Sequence, residues 1–436
     1  MANRVVLYRK YLFAALSVIY LQPFVQGVAL TVVAKDIMRE MSLSPDGMGL
    51  LGSIYLYAYA PSMLFSGMVA AWLGPRRTQY LMFFVSGVGG LLFCWTDSFL
   101  VACLGRALTG AGTSVTMTSS LTLFSRWYKG EAYASICAVF FAFGGLGAFL
   151  GAGPLAMLNV VWGWRGVFLL IALLTIFSSC ISFLTIRDWP PPGSEGELGI
   201  QNTPRDPVTR KIMVDGFRIM SHNRDFWKLA FWFVSMAGIY MSYVGLWAVP
   251  YLKDVYGLAD DKAGFVVSMF SFGFIAGNPA IAWICGKKLR SNRLGLGVAA
   301  LAGLVSFLPL LAFNGKIGYA GLVMLSLVLG MAINAPNVVI YSSVRNLFGA
   351  RLTAVGSGAL GSMCFISGAV LQIACGALLA LGDRMGLSAA DAYALAFLPY
   401  IPCLLIAVWA GFTLSPDCDP GHISPMSWRV ILKDRK

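Results

Sequence analysis

Apolar residues fill twelve long stretches of the chain, and a polar or charged segment separates each stretch from the next. Each is close to or above the roughly 20 residues that a helix needs to cross a bilayer core of about 30 Å. The apolar positions are continuous rather than alternating, which excludes a transmembrane barrel. The pattern predicts twelve membrane-spanning helices, at about residues 11–34, 47–73, 79–96, 98–124, 133–158, 166–186, 226–252, 263–285, 294–313, 317–343, 352–381 and 392–414.

Composition supports this prediction. Hydrophobic residues make up 58% of the 436 residues and charged residues only 12%, with a mean hydropathy of +0.75. This is not the composition of a soluble globular protein. Prolines such as Pro154, Pro279 and Pro336 lie inside the apolar runs, where neighbouring membrane helices can satisfy the freed backbone groups. We therefore expect an all-α integral membrane protein, and the first run is too long for a cleavable signal peptide.

Basic residues are concentrated in alternate loops, which predicts the orientation of the helices. Pairs and clusters such as Arg76 with Arg77, Arg126 with Lys129, and residues 287–293 all fall on one side, together with the N-terminal and C-terminal charges. This distribution predicts that both termini are cytoplasmic. The net charge of +13 is then explained by topology and contact with lipid headgroups, not by binding to nucleic acid.

A polar segment divides the chain into two six-helix halves. We expect an N-terminal bundle at 1–187, a cytoplasmic linker at 188–224, a C-terminal bundle at 225–414 and a cytoplasmic tail at 415–436. Within the linker, residues 208–220 place Ile212, Phe217 and Met220 near one face. This favours a short helix on the membrane surface, although a solvated linker helix fits the pattern equally well.

An internal repeat supports the division. At an offset of about 220 residues, "RALTGAGTS" (106–114) aligns with "SLVLGMAIN" (326–334), so that Gly110 matches Gly330. Two halves of the same orientation imply a two-fold axis along the membrane normal, with a substrate site between the halves near the middle of the membrane.

Three motifs show a resemblance to the major facilitator superfamily over nearly the whole chain. The fourth span has the R-x-x-x-G-x-G pattern at Arg106, Gly110 and Gly112, and the fifth has "GGLGAFLGAGP", which ends in Gly153 and Pro154. "WGWRGVF" (162–168) resembles the junction between the family's fifth and sixth helices. The resemblance implies two pseudo-symmetric six-helix bundles, transport by alternating access, a monomer and a bacterial inner membrane.

The loop after the second span departs from the family pattern. "GMVAAWLGPRR" (67–77) keeps the glycines and the terminal Arg76 and Arg77 of the family's gating motif, but has Ala71 where the family has an acidic residue. The second-half counterpart has Gly286 near that position. The arginine pair could therefore serve a gate or only topology and lipid contact.

Ionisable residues within the spans limit the mechanism, because intramembrane charges are costly and usually functional. No acidic residue and neither histidine falls deep in a predicted span. Arg106 is the exception among the basic residues, and its guanidinium stays charged. We expect it to face the chamber between the halves, in coupling or substrate binding; a structural Arg bonded to backbone carbonyls and polar neighbours is the alternative. Asp36 is the remaining coupling candidate, with an end-cap ion pair favoured.

Polar and aromatic residues on the helices that line the cavity in this family are the substrate-binding candidates. They are Tyr20, Gln22, Gln26, Arg106, Tyr240, Tyr243, Trp247, Asn278, Asn334, Asn337, Tyr341 and Gln372. Gln26 is neutral where organic-anion and sugar-phosphate relatives often carry a cation, so a dianionic phosphate ester ranks low. The coupling or gating candidates are Arg106, Asp36, Arg76, Arg77, Gly153 and Pro154.

No catalytic set, metal-ligand spacing or Walker-type nucleotide motif is present in the sequence, so we expect no enzyme activity and no cofactor. The predicted function is a secondary active transporter of a neutral, zwitterionic or monoanionic small organic solute, in which a proton or another ion is a possible coupling partner. A proton-coupled multidrug or metabolite exporter is one alternative. A receptor or assembly factor that no longer transports is the other.

Overall fold

The computed structural model describes residues 2–128, 130–189 and 210–418, and the helices within these ranges are numbered in chain order. The central linker at 190–209 and the tail from 419 lie outside the described residues. The helices are α1 (Ala2–Glu40), α2 (Pro45–Leu73), α3 (Pro75–Trp95), α4 (Phe99–Thr113), α5 (Thr116–Trp127), α6 (Gly130–Leu150), α7 (Gly153–Thr185), α8 (Arg210–Ser221), α9 (Arg224–Ser242), α10 (Ala248–Tyr256), α11 (Asp260–Trp283), α12 (Asn292–Ala312), α13 (Tyr319–Ile333), α14 (Asn337–Arg384), α15 (Ala389–Phe397) and α16 (Tyr400–Thr413).

The predicted all-α membrane fold is confirmed. Within the described ranges, ten helical segments are long and apolar enough to span a membrane. Two shorter apolar helices, Val139–Leu150 and Tyr319–Ile333, occupy the places of the fifth and tenth predicted spans. The chain is thus an integral, multi-pass membrane protein.

Several predicted spans are broken, and local chemistry explains each break. The fourth span divides into α4 and α5, where Thr113 and Thr116 donate hydrogen bonds to carbonyls three or four residues earlier and compete with the regular ladder. Between α9 and α10, residues Tyr243–Trp247 form a π-helical turn. The tenth span breaks between α13 and α14 at residues 334–336, which include the predicted kink residue Pro336. A proline cannot donate a backbone hydrogen bond.

Two predicted loops are shorter than expected. Helix α7 continues from the fifth span into the sixth, interrupted only at Gly163, whose φ of +66° is accessible to glycine at little cost. Helix α14 likewise joins the predicted tenth and eleventh spans into 48 residues. Helix α8 corresponds to the predicted linker helix. Its Met220 is fully buried and lies against Gly356 of α14, so α8 packs on the bundle that follows it.

The two repeats pack in the same way at their aligned glycines. Gly110 of α4 lies against the Tyr55 carbonyl of α2, and Gly330 of α13 lies against the Phe270 carbonyl of α11. A side chain at either glycine would collide with that carbonyl, so both positions require the close backbone approach that small residues allow in membrane helices.

The described residues up to 189 are called the first half and those from 210 the second half. The helix ends that carry Arg76, Arg126 and Lys288 are called the basic side, and those that carry Lys35 and Asp254 the opposite side. Contacts between the halves run from the opposite side, where Lys35 pairs with Asp254, to the middle of the bundle, where Gly361 lies against Met63. Towards the basic side, described helix ends bond within their own half, as in Arg126 with Asp188 and Lys228 with the Thr413 carbonyl. Since the described contacts between the halves lie on the opposite side and in the middle, we infer that the halves diverge towards the basic side, and the space between them there is called the cleft.

Candidate functional site

Tyrosines from both halves lie near the closed end of this cleft, in the middle of the molecule. Tyr20 of α1 and Tyr59 of α2 belong to the first half, and Tyr341 of α14 belongs to the second. Tyr20 and Tyr341 are close enough to interact electrostatically with each other and with Tyr59. Tyr20 and Tyr59 are 6% and 7% exposed, and Tyr341 is half-buried. These three hydroxyls can donate to and accept from a polar solute.

Helices α2 and α14 form the floor of the cleft. The Tyr59 ring stacks on the Phe365 ring with centroids 4.1 Å apart, and the Ser362 hydroxyl donates to the Ala60 carbonyl at 3.0 Å. Tyr20 is positioned from the other side by a stack on Phe140 of α6, also at 4.1 Å. The aromatic rings thus fix the tyrosine hydroxyls before any solute arrives, which lowers the entropy cost of binding.

The helix break before α14 supplies amide groups. Asn337 Nδ2 donates to Asn334 Oδ1 at 2.7 Å, while the buried Asn337 Oδ1 has no hydrogen-bond partner among the described residues. One turn further along α14, Tyr341 packs edge-on against Phe233. Asn337 and Tyr341 lie four residues apart and so share a helix face. The pair offers a hydroxyl and an amide to one solute.

The side chains of two candidates predicted on the first helix bond to α7 and not to groups at the cleft. Gln22 Nε2 donates to the Ser178 hydroxyl and to the Leu174 carbonyl, and Gln26 Nε2 donates to Thr175 Oγ1 at 3.2 Å. All three partners belong to α7. Both amides therefore join helices within the first half, which is the interhelical role that polar side chains commonly have in membranes.

Arg106 also lies inside the first half. It is 2% exposed, and its guanidinium carbon sits 4.7 Å from the Tyr55 ring centroid and 5.8 Å from that of Phe93. Gln26 lines the same small cavity. Since Tyr55 packs beside Tyr59, Arg106 stands one side chain behind the cleft. The Arg106 side chain therefore does not face the cleft in this structure, and its Nε and Nη1 have no hydrogen-bond partner among the described residues.

The remaining second-half candidates are mostly internal to that half. Tyr240 stacks on Phe270, and Tyr243 packs edge-on against Phe397. Gln372 and Trp247 form a pair, because Trp247 Nε1 donates to the Gln372 carbonyl at 3.2 Å. Asn278 of α11 is half-buried. Of these, Gln372 also approaches the first half, where Gly49 and Gly52 of α2 leave room for it.

On the opposite side, the halves are joined by charged and polar contacts. Lys35 pairs with Asp254, which also accepts a hydrogen bond of 2.9 Å from Tyr393. The Gly153 N–H donates to Ser268 Oγ at 2.7 Å, and Pro154 forms the first turn of α7. The coupling candidate Asp36 accepts 2.8 Å from Asn159 and lies 3.5 Å from Arg39, as the favoured end-cap ion pair predicts.

On the basic side, Asp188 contacts one arginine after the second predicted span and one after the fourth. Its Oδ1 accepts from the Arg76 backbone N–H at 2.9 Å, in the first turn of α3, and lies 3.6 Å from Arg126 Nη1. A carboxylate at a helix N-terminus is stabilised by the free N–H groups and the helix dipole. Arg77 is exposed. The side chain of Ala71 lies outside the described residues, yet an acidic group is present nearby in Asp188.

Sequence reasoning missed Tyr59, Tyr55 and Phe365. The signal was available in "YLYAYA" of α2, because Tyr55 and Tyr59 are four residues apart and therefore lie on one face. None of the site residues predicted from the sequence lies in α2. Within the described ranges, no three His, Cys, Asp or Glu side chains are close enough to bind a metal ion.

Two helical halves that close on one side and meet around a polar, aromatic-walled cleft define a membrane transporter rather than an enzyme. The chain belongs to the Major Facilitator Superfamily, whose family model matches residues 12–372. The resemblance seen in the motifs is therefore confirmed.

Among curated relatives, a probable hexose phosphate transport protein of Chlamydia pneumoniae is 21% identical over 67% of this chain and 68% of its own length. The glycerol-3-phosphate transporter of Bacillus subtilis is 22% identical, over 61% of this chain and 62% of its own. The chain thus spans about two thirds of the curated relatives it matches here.

Among solved structures, the fold is similar to a bacterial homolog of the human lysosomal transporter Spinster, in an inward-facing and unoccupied conformation. The TM-score is 0.72 at 18% identity, covering 94% of this chain and 97% of that one.

Proposed function

We propose that the protein is a secondary active transporter that carries a small organic solute across the membrane by alternating access. The proposal is supported by the contact between the halves at Tyr59 and Phe365, whose rings stack at 4.1 Å, with Tyr20 of the first half and Tyr341 of the second within electrostatic range of Tyr59. A solute bound by residues of both halves stays bound while the halves rock around it. The rocking then exposes the solute to each side of the membrane in turn.

The proposed solute is neutral, zwitterionic or monoanionic. The described groups that reach the cleft are phenol hydroxyls, amides and aromatic rings, which suit hydroxyl-rich or carboxylated metabolites. A dianionic phosphate ester is best held by paired guanidinium or ammonium groups, whereas Arg106 lies behind Tyr55. The solutes named for the two relatives are phosphate esters, so this proposal distinguishes the protein from them.

The moving units are proposed to be the bundles 1–187 and 225–414, joined by the linker 188–224 and followed by the tail 415–436. Energy comes from solute or ion gradients, since no nucleotide motif occurs in the sequence. A proton or another ion is the coupling partner. The transporter acts as a monomer in a bacterial inner membrane, with its basic side towards the cytoplasm and anionic lipid.

Counterflow in proteoliposomes tests the solute class. Liposomes are loaded in turn with a neutral nucleoside or hexose, a monoanionic hexuronate and a dianionic hexose phosphate, and exchange of the labelled solute is followed at several pH values. We expect exchange for a member of the first two groups. Exchange of the phosphate ester alone contradicts the proposed solute class.

The tyrosine cluster is tested with single-atom changes. Tyr341→Phe and Tyr59→Phe remove one hydroxyl each, and we expect KM to rise about five- to thirty-fold, because one lost hydrogen bond to a solute is worth about 1–2 kcal/mol. Tyr80→Phe is the matched control, since Tyr80 packs edge-on against Phe183 within the first half. Equal KM values in all three variants contradict the site.

A further inference from the structure

Among the described residues, the buried Arg106 has no acidic partner. Its Nε and Nη1 atoms have no hydrogen-bond partner among the described residues, and the side chain is 2% exposed. An arginine cannot lose its proton to relieve the cost of burial. An isolated ion in a low-dielectric interior is strongly destabilising unless an opposite charge compensates it.

The aromatic neighbours compensate only part of this charge. Tyr55 and Phe93 present their rings to the guanidinium at 4.7 and 5.8 Å, and a cation over a desolvated ring gains about 2 kcal/mol. That is well below the several kcal/mol that burial of an ion costs. A negative charge beside the guanidinium would supply the remainder.

A small cavity lies where that negative charge is needed. Arg106 lines it together with Gln26 of α1, Ser86 of α3 and Thr109 of α4. The volume open to the centre of a water-sized sphere is about 10 Å³, so the cavity holds one particle of about the size of a water molecule. None of the described residues lining it is acidic, and the rest of the wall is glycine, alanine, isoleucine and phenylalanine.

The remaining polar groups at the cavity are suited to an anion. Ser86 Oγ is buried and has no hydrogen-bond partner among the described residues, so its hydroxyl is free to donate. Thr109 Oγ1 is already engaged with the Gly105 carbonyl at 2.8 Å, and Gln26 Nε2 with Thr175. The free donors are thus a hydroxyl from α3 and two guanidinium nitrogens from α4, all facing one small space.

We propose that this cavity is a binding site for one monatomic anion of the chloride class, held by Arg106 and Ser86 inside the first half. Its size excludes carboxylate and phosphate solutes. The site is separate from the tyrosine cleft, because Tyr55 stands between them and its hydroxyl is bonded to the Pro23 carbonyl and Thr113. A bound anion would tie together α1, α3, α4 and α7, whose residues surround it.

Thermal unfolding of the purified full chain tests the proposal. The unfolding midpoint is measured in rising sodium chloride, with sodium gluconate keeping the ionic strength constant. A ligand that binds only the folded state raises stability with its concentration until the site saturates. We therefore expect a saturable rise in midpoint of several degrees with chloride and bromide, and no rise with gluconate alone.

Variants assign the effect to the site. Arg106→Gln should abolish the chloride-dependent rise, whereas Arg384→Gln, which removes an arginine from the exposed end of α14, should keep it. A midpoint independent of chloride in the unmodified protein, or a rise that persists in Arg106→Gln, overturns the proposal.

Crystals of the unmodified protein grown in sodium bromide give a readout that needs no variant to fold. We expect an anomalous peak beside the Arg106 guanidinium. Absence of that peak, as for a cavity that holds only water, also overturns the proposal. Neither experiment depends on transport, so the anion site and the proposed function can fail separately.

Discussion

At the scale of single residues, the first half contains a row of side chains that leads from the interior of its helix bundle to the cleft. Arg106 faces Tyr55, Tyr55 packs beside Tyr59 at 5.9 Å, and Tyr59 stacks on Phe365 of the other half. The orientation of Arg106 follows from its neighbour one turn on. Arg106 and Gly110 share a helix face, and Gly110 packs on α2, so the guanidinium is directed towards α2 and α3.

Asp188 is the residue whose structural role is easiest to isolate. Its carboxylate is the acceptor for the first turn of α3 and the ion-pair partner of Arg126. Asp188→Asn keeps an oxygen for the Arg76 N–H but removes the charge. Charged hydrogen bonds and half-buried pairs of this kind are worth about 1 kcal/mol, so we expect the unfolding midpoint to fall by about 1–4 °C.

The control for Asp188 is Asp261→Asn, at an exposed position in the first turn of α11. Nearby Arg126→Gln should lower the midpoint by a similar amount, and the double variant Asp188→Asn/Arg126→Gln should lower it by less than the sum of the two. Additive losses in midpoint would show that the Asp188 carboxylate stabilises the first turn of α3 independently of Arg126.

At the scale of helices, the apolar pattern was sufficient to predict where the chain crosses the membrane, because span length is set by bilayer thickness. It did not predict the break at Ser114 and Val115, since that break depends on which Ser and Thr hydroxyls bond back to the helix. It also did not predict that Gln22 and Gln26 face α7. A polar residue in a span can face either a cleft or a neighbouring helix, and the helix rotation that decides this is set by packing.

Helix α7 begins with a glycine at a contact that joins the halves. A Cβ at Gly153 would lie 2.7 Å from Ser268 Oγ of α11, closer than real contacts permit. We expect Gly153→Ala to separate α7 from α11 and to slow counterflow at least several-fold, because the closed opposite side would become less populated. Removing the hydroxyl in the double variant Gly153→Ala/Ser268→Ala makes room and should restore most of the rate.

Gly358→Ala is the matched control, since a Cβ at this glycine of α14 meets nothing within 4 Å. Its counterflow rate should equal that of the unmodified protein. If Gly153→Ala transports normally, or if Ser268→Ala fails to rescue it, the close approach of α7 to α11 is not required for closure.

At the scale of the whole molecule, the structure has one closed side and one divergent side. Closure is built from Lys35 with Asp254, Gly153 with Ser268, and the packing of α2 on α14. The fold and the membrane class could be predicted from the sequence, whereas the partners of Lys35 and Asp254 could not. These residues are 219 positions apart, and only the docking of the two halves brings them together. Cytoplasmic location of both termini stays a prediction of the charge pattern.

The Lys35–Asp254 pair gives a test of alternating access itself. Its side chains are 37% and 28% exposed, so we expect the pair to favour the closed state by at most about 1 kcal/mol, or about five-fold in the ratio of closed to open molecules. Lys35→Ala or Asp254→Ala should shift that ratio towards opening. The shift can be measured with spin labels at Leu100 and Met385, which are exposed on this side in different halves. Opening should increase the fraction of molecules in which the two labels are far apart.

The exchanged variant Lys35→Asp/Asp254→Lys separates the pair from each residue alone. An ion pair depends on opposite charge rather than on which helix carries which sign, so the exchange should move the distance distribution back towards closure. The return should be incomplete, because Tyr393 donates to Asp254 in the native arrangement and a lysine cannot accept that bond. Distances that do not respond to any of the three variants would mean that closure depends on helix packing alone, and transport should then be insensitive to salt concentration on this side.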